Sequence, residues 1–390
     1  MLEGENTVLY TRERLEQCEG QALAPYGFRS RDSQGRAFPE AAPPYRTRFQ
    51  RDRDRILHTD AFRRLEYKTQ VFVYAEGDYY RTRLTHTLEV AQIGRSLATA
   101  LGANEVLLEA ICLAHDLGHP TFGHAGERML NQLMADHGGF DHNKQSLRIV
   151  EKLEKKYAEF DGLNLSWEVL EGMVKHETDY DISDASRFDP DLRGTLEAQL
   201  ANPADELAYN THDLDDGLYS GLIQPADLTG IALWERAKNS VGWDGRDFNT
   251  MWRHRLIRRL LGILIDDVLT ETARRIEKAA PVSPRELQLL QEDVVSTTPE
   301  MAGMLAELKR FLMDRLYRHP RVMRMQSKAE RIITAVFEAY VSEPRQLPYW
   351  EQDKIGDRHL HRVVCDYIAG MTDRYALQEY AKLFDPLERV

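Results

Sequence analysis

The segment between residues 115 and 127 concentrates side chains that can bind a metal ion or transfer a proton. They are His115, Asp116, His119, His124 and Glu127. A neutral imidazole and a carboxylate together suit a divalent ion of the transition-metal or magnesium type. Adjacent helical residues point about 100° apart, so His115 and Asp116 can share an ion only at a helix end or with ligands from elsewhere. An isolated His-Asp pair is usually structural, so the residues elsewhere in the chain must decide whether His115 and Asp116 bind a metal.

Two predicted helices position this segment. Residues 105–113 carry apolar side chains at helical spacing, and a glycine and a proline after Asp116 then favour a turn. A second helix is predicted to begin near Gly123. It would place His124 and Glu127 one turn apart on the same face, where the carboxylate can orient the imidazole.

A second group of candidates lies near residue 205. Asn202 and Pro203 predict the start of a helix, because asparagine caps helices and proline suits the first turn. On that helix Asp205, Tyr209 and Asp213 follow one another at intervals of four residues and share one face. Such a stripe either faces solvent or, if buried, needs a metal, hydrogen bonds or a ligand. Periodicity alone leaves both alternatives open.

His86 completes the pattern of candidate metal ligands. It falls early on a helix that is predicted to open at residues 81–86, where a lone histidine is usually structural. Together with His115, Asp116 and Asp205 it gives two imidazoles and two carboxylates, which suit one octahedral Mn²⁺, Fe²⁺ or Mg²⁺ ion. Such an ion can activate water and polarise a phosphoryl oxygen. His119, His124, Glu127 and His142 are candidates for proton transfer near neutral pH.

Basic residues cluster upstream of these candidates. The cluster contains Arg48, Arg51, Arg53 and Arg55, interleaved with acids. It is either a solvated helix face with local ion pairs or a phosphate-binding patch, since guanidinium groups match phosphate oxygens. Metal, proton-transfer and arginine candidates together indicate metal-assisted hydrolysis of a phosphate ester or anhydride.

Composition narrows the class of protein. The 390 residues carry a formal net charge of −12, which argues against broad nucleic-acid binding as the main role. There is no apolar run long enough for a transmembrane helix, and the acidic N-terminus lacks the apolar segment of a secretory signal. Three widely spaced cysteines match no zinc motif and suit a reduced, cytoplasmic protein without a membrane partner.

The remaining chain predicts helices and no run of alternating strand residues. Residues 56–73 and 363–380 are each predicted as helical, and the fold class is all-α. We divide the chain into an N-terminal arm and loop at 1–45, a catalytic core at 46–225 and a C-terminal helical region at 226–390 packed on that core.

The order H…HD…D, from His86 through His115 and Asp116 to Asp205, resembles the signature of the HD-domain phosphohydrolase superfamily. Longer stretches resemble the bacterial dGTP triphosphohydrolase family within it, from about residue 46 to the C-terminus. These stretches are residues 51–56 (RDRDRI), 61–65 (AFRRL), 68–72 (KTQVF), 115–127, 204–213 (ADELAYNTHD) and 366–374 (DYIAGMTDR). Thr121 stands where the family commonly has a second proline, which concerns the turn and no ligand.

The resemblance implies an HD-domain helical bundle with a C-terminal helical extension. It also implies that a dNTP and water yield a deoxynucleoside and intact triphosphate. His86, His115, Asp116 and Asp205 would hold the metal. His124 and Glu127 would form the acid–base dyad, with His142 as helper and His119 near the α-phosphate. Arg83 would reach phosphate, and Gln70, Tyr209 and Asp213 would contact the deoxyribose.

Family members are usually symmetric oligomers, here expected to be a tetramer or hexamer, and some are activated by a second dNTP. The patch from Arg46 to Arg55, with Arg48, Arg51, Arg53 and Arg55 as its candidate residues, and the C-terminal helices are our candidates for the activator site. Single-stranded DNA is a further candidate partner. Two other functions remain open on the sequence. One is an HD-type phosphodiesterase or 5′-nucleotidase with the same metal. The other is a sensor of dNTPs or single-stranded nucleic acid with little turnover.

Overall fold

The computed structural model describes residues 8–72, 79–175 and 187–389. Across these ranges the chain is all-α, as predicted, with 17 α-helices and only isolated bridges in place of strands. The first nine helices are α1 Arg12–Ala22, α2 Arg48–Leu57, α3 Asp60–Arg64, α4 Arg83–Leu101, α5 Glu105–Ala114, α6 Gly123–Leu133, α7 His142–Arg148, α8 Trp167–Val174 and α9 Leu196–Tyr219. The others are α10 Ala232–Val241, α11 Thr250–Ala279, α12 Pro284–Gln288, α13 Pro299–Leu312, α14 Pro320–Ser342, α15 Tyr349–Gln352, α16 Leu360–Ala369 and α17 Asp373–Phe384. None of these helices combines the length and apolar character that crossing a bilayer requires.

The larger of two hydrophobic cores forms around α5. Leu107, Leu108 and Ile111 are fully buried there, between α4, α9, α2 and α8. The Asn104 side chain caps α5 by accepting hydrogen bonds from the backbone N–H groups of Val106 and Leu107. This first core continues through α10, α11 and α13 to Val322, so it runs past residue 225, where we placed a domain boundary. That boundary stays a prediction.

A second core lies beside the first. It is formed by α6 and the C-terminal helices α14, α16 and α17, with Leu130, Ile333, Phe337, Tyr340 and Ile368 among its buried residues. The helix that carries His124 and Glu127 therefore packs mainly on the C-terminal region.

The predicted helices on both sides of the 115–127 segment are confirmed. The first runs over Glu105–Ala114, and the second begins at Gly123. The residue before it, Phe122, adopts a left-handed backbone conformation with φ 60°, which is unusual for a residue with a side chain. The predicted helix that opens at residues 81–86 is also confirmed, with Thr82 as its N-cap.

Three predicted helix boundaries are wrong. The predicted 56–73 helix ends at Leu57, because the Thr59 hydroxyl accepts from the Phe62 N–H and starts the short helix α3. Beyond Tyr67 the chain is not helical, and the end of that prediction, from residue 73, lies outside the described residues. The predicted 363–380 helix is two helices, since Thr372 caps α17 by accepting from the Tyr375 N–H.

The third error concerns α9. It begins at Leu196 after the cap Thr195, and Pro203 lies inside it. Proline removes one intrahelical hydrogen bond and normally ends a helix. Here α9 is buried over most of its length, with Leu200 and Leu207 in the first core, so tertiary packing outweighs that local cost.

The described part of the predicted N-terminal arm and loop is attached to the core. The Arg36 guanidinium forms a buried ion pair with Asp52, and the backbone N–H of Phe28 donates to Glu197 at 3.0 Å. After α1 ends at Ala22, residues 23–45 are therefore a loop packed on the first core, apart from one short 3₁₀ turn at Ser30–Asp32.

Candidate active site

The four predicted metal ligands come together from three helices. His86 lies in the first turn of α4, His115 and Asp116 at the end of α5, and Asp205 in the middle of α9. His86 Nε2 lies 2.9 Å from Asp205 Oδ1, and His115 Nε2 lies 3.4 Å from Asp116 Oδ1 and 3.7 Å from Asp205 Oδ1. Because α5 ends at Ala114, the adjacent His115 and Asp116 can face the same point. The metal-ligating atoms of His86, His115 and Asp116 all lie within 4.8 Å of one another.

A hydrogen bond to the backbone fixes which ring nitrogen of His115 faces the two carboxylates of the cluster. Its Nδ1–H donates to the Cys112 carbonyl at 2.6 Å, so Nε2 is left facing the two carboxylates. Metal-binding histidines generally donate their other ring N–H in this way, which sets the tautomer and the orientation of the ring.

The two carboxylates of the site favour positively charged neighbours. Burial alone would lower the pKa of His115, but Asp116 and Asp205 outweigh burial and raise that pKa to about 9. Burial opposes ionisation of Asp116, yet the charges of His115 and Arg83 hold its pKa well below the usual range. Hydrogen bonds from His115 and His86 likewise outweigh burial and keep the pKa of Asp205 low. The carboxylates therefore stay ionised and available to a dication.

Arg83 connects this cluster to the cavity beside it. Its Nη1 donates to Asp116 Oδ2 at 3.0 Å, while its buried Nε and Nη2 find no acceptor among the described residues. Buried guanidinium donors without partners are costly, and phosphate oxygens would satisfy them. The backbone at Gly123 passes so close that an added Cβ would lie 3.1 Å from Arg83 Nη2, so glycine leaves room for the guanidinium.

The predicted proton-transfer residues form a second cluster around Glu127. Its Oε1 accepts from His142, through ring Nδ1 and backbone N–H, both at 2.8 Å. Its Oε2 lies 3.4 Å from Nδ1 of His124, whose side chain is 57% exposed. The His119 ring stacks on the His142 ring at 3.9 Å, and His119 Nε2 lies 3.1 Å from Asp116 Oδ1. His119 therefore joins the two clusters.

Electrostatics keep this second cluster in a defined charge state. Burial disfavours the Glu127 anion, but hydrogen bonds from His124 and His142 outweigh it and lower its pKa. Burial, followed by the charges of Arg83 and His142, lowers the pKa of His119 well below its usual range. Glu127 is therefore an anion that can orient an imidazole, and His119 is neutral.

The Asp205–Tyr209–Asp213 stripe faces the cavity, which resolves the alternative that periodicity left open. All three residues line it, and Asp213 accepts a hydrogen bond from the Tyr317 hydroxyl. The Tyr209 and Tyr317 rings stack with centroids 6.1 Å apart. Burial raises the pKa of Asp213 to about 8, and the Tyr317 hydrogen bond offsets this only in part. Gln70 also lines the cavity, and its buried Oε1 has no hydrogen-bond partner among the residues that the structure describes.

One cavity of about 910 Å³ contains both clusters and this stripe. Its volume is that of a site for a ligand of nucleotide size. Residues of the C-terminal helices and of the segment between α13 and α14 close its far side. They include Lys309, Met313, Tyr317, Arg318, Met323 and Gln326.

Sequence reasoning missed the residues that hold the site together. The buried carboxylate of Asp373 accepts from the backbone N–H groups of Thr69 (2.8 Å) and Phe122 (2.7 Å) and from the hydroxyls of Thr69 and Thr121. Lys68 Nζ donates to the carbonyls of His119 and Ala369 at 2.5 and 3.1 Å, and burial lowers its pKa to about 7. Lys68 and Asp373 lie in two of the stretches that resemble the family, 68–72 and 366–374. That resemblance was the signal by which the sequence could have pointed to them.

The arginine cluster lies apart from the cavity, and its side chains already have protein partners. Arg55 is buried and paired with Glu40, Arg51 also pairs with Glu40, and Arg53 pairs with Asp54 and Glu109. The Arg48 guanidinium donates to the Ser33 carbonyl. The activator role of this cluster stays a prediction.

Comparison with known proteins is consistent with this geometry. The HD-domain family model matches residues 83–210, and the phosphohydrolase-associated domain matches residues 295–382. The fold, the histidine–aspartate cluster and these matches define an HD-domain phosphohydrolase.

Whole-chain relatives narrow the family further. The chain is 51% identical to a deoxyguanosinetriphosphate triphosphohydrolase-like protein of Geobacter metallireducens, over 95% of this chain and 97% of that one. It is 50% identical to the protein of the same name in Geobacter sulfurreducens, over 97% and 99% of the two chains. The chain thus belongs to the family of deoxyguanosinetriphosphate triphosphohydrolase-like proteins. A solved structure of a hypothetical protein from Aquifex aeolicus aligns with 85% of this chain and 71% of its own at 15% identity, with a TM-score of 0.39.

Proposed function

We propose that this protein hydrolyses dNTPs, dGTP alone or several of them, to a deoxynucleoside and intact triphosphate. The observation that carries the proposal is that one cavity brings together a metal-ligand set, a proton-transfer cluster and a tyrosine–aspartate stripe that suits a sugar. Water attacks the α-phosphorus, the bond from that phosphorus to the 5′-oxygen breaks, and the 5′-oxygen leaves with a proton.

The residues of the first cluster fit a divalent metal. Two imidazoles and two ionised carboxylates match Mn²⁺, Fe²⁺ or Mg²⁺, and the Nδ1–H bond of His115 turns its other nitrogen inward. His86, His115, Asp116 and Asp205 would hold the ion. When bound, such an ion lowers the pKa of water and polarises a phosphoryl oxygen.

Arg83 is proposed to bind the phosphates. Its two unpartnered donors point to an acceptor supplied by the ligand, and its charge suits the negative charge that phosphoryl oxygens carry in the transition state. His119, buried and neutral between the two clusters, is proposed to contact the α-phosphate.

His124 and Glu127 are proposed to transfer the proton, with His142 as helper. Glu127 holds His142 firmly and His124 loosely, and catalytic hydrogen bonds are often long before substrate binds. The exposed His124 at the edge of the cavity can reach the leaving 5′-oxygen, while His142 keeps Glu127 oriented.

Gln70, Tyr209 and Asp213 are proposed to recognise the deoxyribose. Tyr209 would pack under the sugar, and Asp213 with Gln70 would bind the 3′-hydroxyl. The buried, unpartnered Oε1 of Gln70 supports this, because an incoming hydroxyl would satisfy it. Tyr209 under the sugar, with Asp213 and Gln70 on the 3′-hydroxyl, would crowd a 2′-hydroxyl and so disfavour ribonucleotides.

We further propose a symmetric tetramer or hexamer in which a second dNTP binds at the Arg48, Arg51, Arg53 and Arg55 cluster. The arginines outnumber what one active site needs, which supports this proposal, and an activator would have to displace the protein partners that these side chains already have. Single-stranded DNA is kept as a candidate partner. A monomer that hydrolyses each dNTP at full rate without an activator would contradict the proposal.

Product analysis tests the reaction. The purified protein is incubated with each dNTP, singly and mixed, with Mn²⁺ or Mg²⁺ in ¹⁸O-water, and the products are separated by ion exchange. Triphosphate carrying the label, with unlabelled deoxynucleoside, is expected. Monophosphate or free phosphate would instead identify a phosphodiesterase or nucleotidase, and absence of turnover would favour a sensor. Activity confined to the mixture would support an activator site.

A further inference from the structure

Three histidines form a separate cluster outside the active site. His137 ends the short 3₁₀ turn that follows α6, His359 is the N-cap of α16, and His361 lies in the first turn of that helix. Their rings stack on one another, with centroids 3.7 Å apart for His137 and His361 and 4.8 Å for His137 and His359. One ring nitrogen from each lies within 4.8 Å of the others.

These rings are not explained by hydrogen bonding. Among the described residues, none of the three side chains makes a hydrogen bond or ion pair, and the Nδ1 of His361 is buried without a partner. Three imidazoles that share no proton and face one another have lone pairs to offer to a cation.

We propose that His137, His359 and His361 bind one Zn²⁺ ion, at a site that is independent of the proposed hydrolytic reaction. Imidazole nitrogen suits zinc, whereas Mg²⁺ and Ca²⁺ prefer oxygen ligands. Nitrogens around a tetrahedral zinc lie about 3.4 Å apart for bonds of about 2.1 Å. Imidazole lone pairs lie in the ring plane, so the stacked rings would have to turn about their side-chain bonds before three lone pairs converge on one ion. His359 is exposed, which leaves a fourth position to water.

The neighbouring arginine sets a limit on the affinity. The Arg362 guanidinium donates to the carbonyls of His137 and Gly139 at 3.1 and 2.7 Å, so a positive charge lies beside the site. Zinc bound by three neutral ligands keeps its full charge, and Arg362 therefore weakens binding relative to a site without it.

The place of the cluster gives the ion a structural effect. It would join the turn after α6 to α16, and His142, which bonds Glu127, follows His137 by only five residues. Zinc would thus fasten the segment that leads from one proton-transfer residue to another, without touching the cavity.

Zinc content tests the proposal without reference to activity. The wild-type protein is stripped with a chelator, loaded with Zn²⁺, desalted and analysed for metal per chain. His359→Ala and His361→Ala are each expected to bind one zinc fewer than wild type. His58→Ala, which removes an exposed histidine elsewhere, is the matched control and should bind as much as wild type. Equal zinc content in all four proteins would overturn the proposal.

A second measurement tests the three-histidine site separately from the metal-ligand residues of the active site. With Mn²⁺ in excess, added Zn²⁺ is expected to raise the Tm of wild type and of His58→Ala more than that of His359→Ala. His359 is exposed, so its removal costs little packing. The same zinc-dependent rise in His359→Ala as in wild type would contradict the site, and Mg²⁺ in place of Zn²⁺ should give no difference between the proteins.

Discussion

The two halves of the candidate active site differ in how they are built. The metal-ligand half comes from α4, α5 and α9 in the first core, and His86, His115 and Asp116 are all at most 6% exposed. In the proton-transfer half, His124 and Glu127 lie on α6, which packs on the second core, and the His124 side chain is more than half exposed. His142 lies on α7 and is buried. Burial restricts the side chains of the first half before substrate arrives, whereas the exposed His124 of the second half has room to change its rotamer. We call them the rigid half and the adjustable half. Catalysis therefore depends on how the two cores are held together.

The largest effect is expected in the rigid half. Asp116→Asn removes the charge of a proposed metal ligand that is also the partner of Arg83, so we expect kcat/KM to fall by roughly 10³-fold or more, since a metal contributes several kcal/mol to the transition state. Turnover and bound metal would be measured together. The control Asp136→Asn changes an exposed carboxylate after α6 and should retain both. Full activity of Asp116→Asn would show that the metal-ligand assignment is wrong.

A smaller effect is expected in the adjustable half. His124→Ala and Glu127→Gln should each lower kcat by about 10²- to 10³-fold, because they remove proton transfer but leave the metal ligands intact. His142→Ala should have a weaker effect if it only orients Glu127. Single-turnover rates and pH profiles of the three variants would rank them. A His142 variant slower than the His124 variant would transfer the proton-donor role to His142.

The connection between the halves can be broken at Asp373. Asp373→Asn keeps the size but replaces an oxygen acceptor with an amide that faces N–H and O–H donors of Thr69, Thr121 and Phe122. We expect the free energy of unfolding to fall by about 2–3 kcal/mol and kcat to fall with it. Urea unfolding and metal content would be compared with Asp357→Asn, an exposed control. A loss of metal with unchanged stability would argue against this role.

The smallest effect concerns pH and Asp213. Burial raises its pKa to about 8 in the folded protein, so between about pH 4 and pH 8 the folded state holds a proton that the unfolded state has released. Wild-type stability therefore falls as pH rises through that window. The Asp213→Asn variant lacks this pH-dependent loss of stability, so we expect its free energy of unfolding to exceed that of wild type by about 1–3 kcal/mol between pH 5 and pH 8.

The same variant should lose discrimination between deoxyribonucleotides and ribonucleotides. Denaturation at several pH values and the ratio of the two kcat/KM values give the two readouts. A stability difference that does not grow with pH would mean that Asp213 is ionised in the folded protein. In that case only the ratio of kcat/KM for deoxyribonucleotides and ribonucleotides would test the proposed contact between Asp213 and the sugar.

The sequence predicted the all-α class and the gathering of His86, His115, Asp116 and Asp205, because spacing and residue type carry that information. It did not predict where α9 begins, since the burial of Leu200 and Leu207 outweighs the local preference of Pro203. It also gave no role to Asp373, whose four donors come from two loops about 250 and 300 residues earlier in the chain. Local patterns record helices and short motifs, but contacts across such distances depend on tertiary packing.

Arg83 has a further thermodynamic consequence. One of its nitrogens holds Asp116, and two others are available to a ligand in the cavity. If phosphate occupies those donors and a metal occupies Asp116, each ligand changes the charge that the other meets through the same guanidinium. The factor by which metal tightens nucleotide binding must then equal the factor by which nucleotide tightens metal binding. Arg83 is the residue through which this reciprocity would be transmitted.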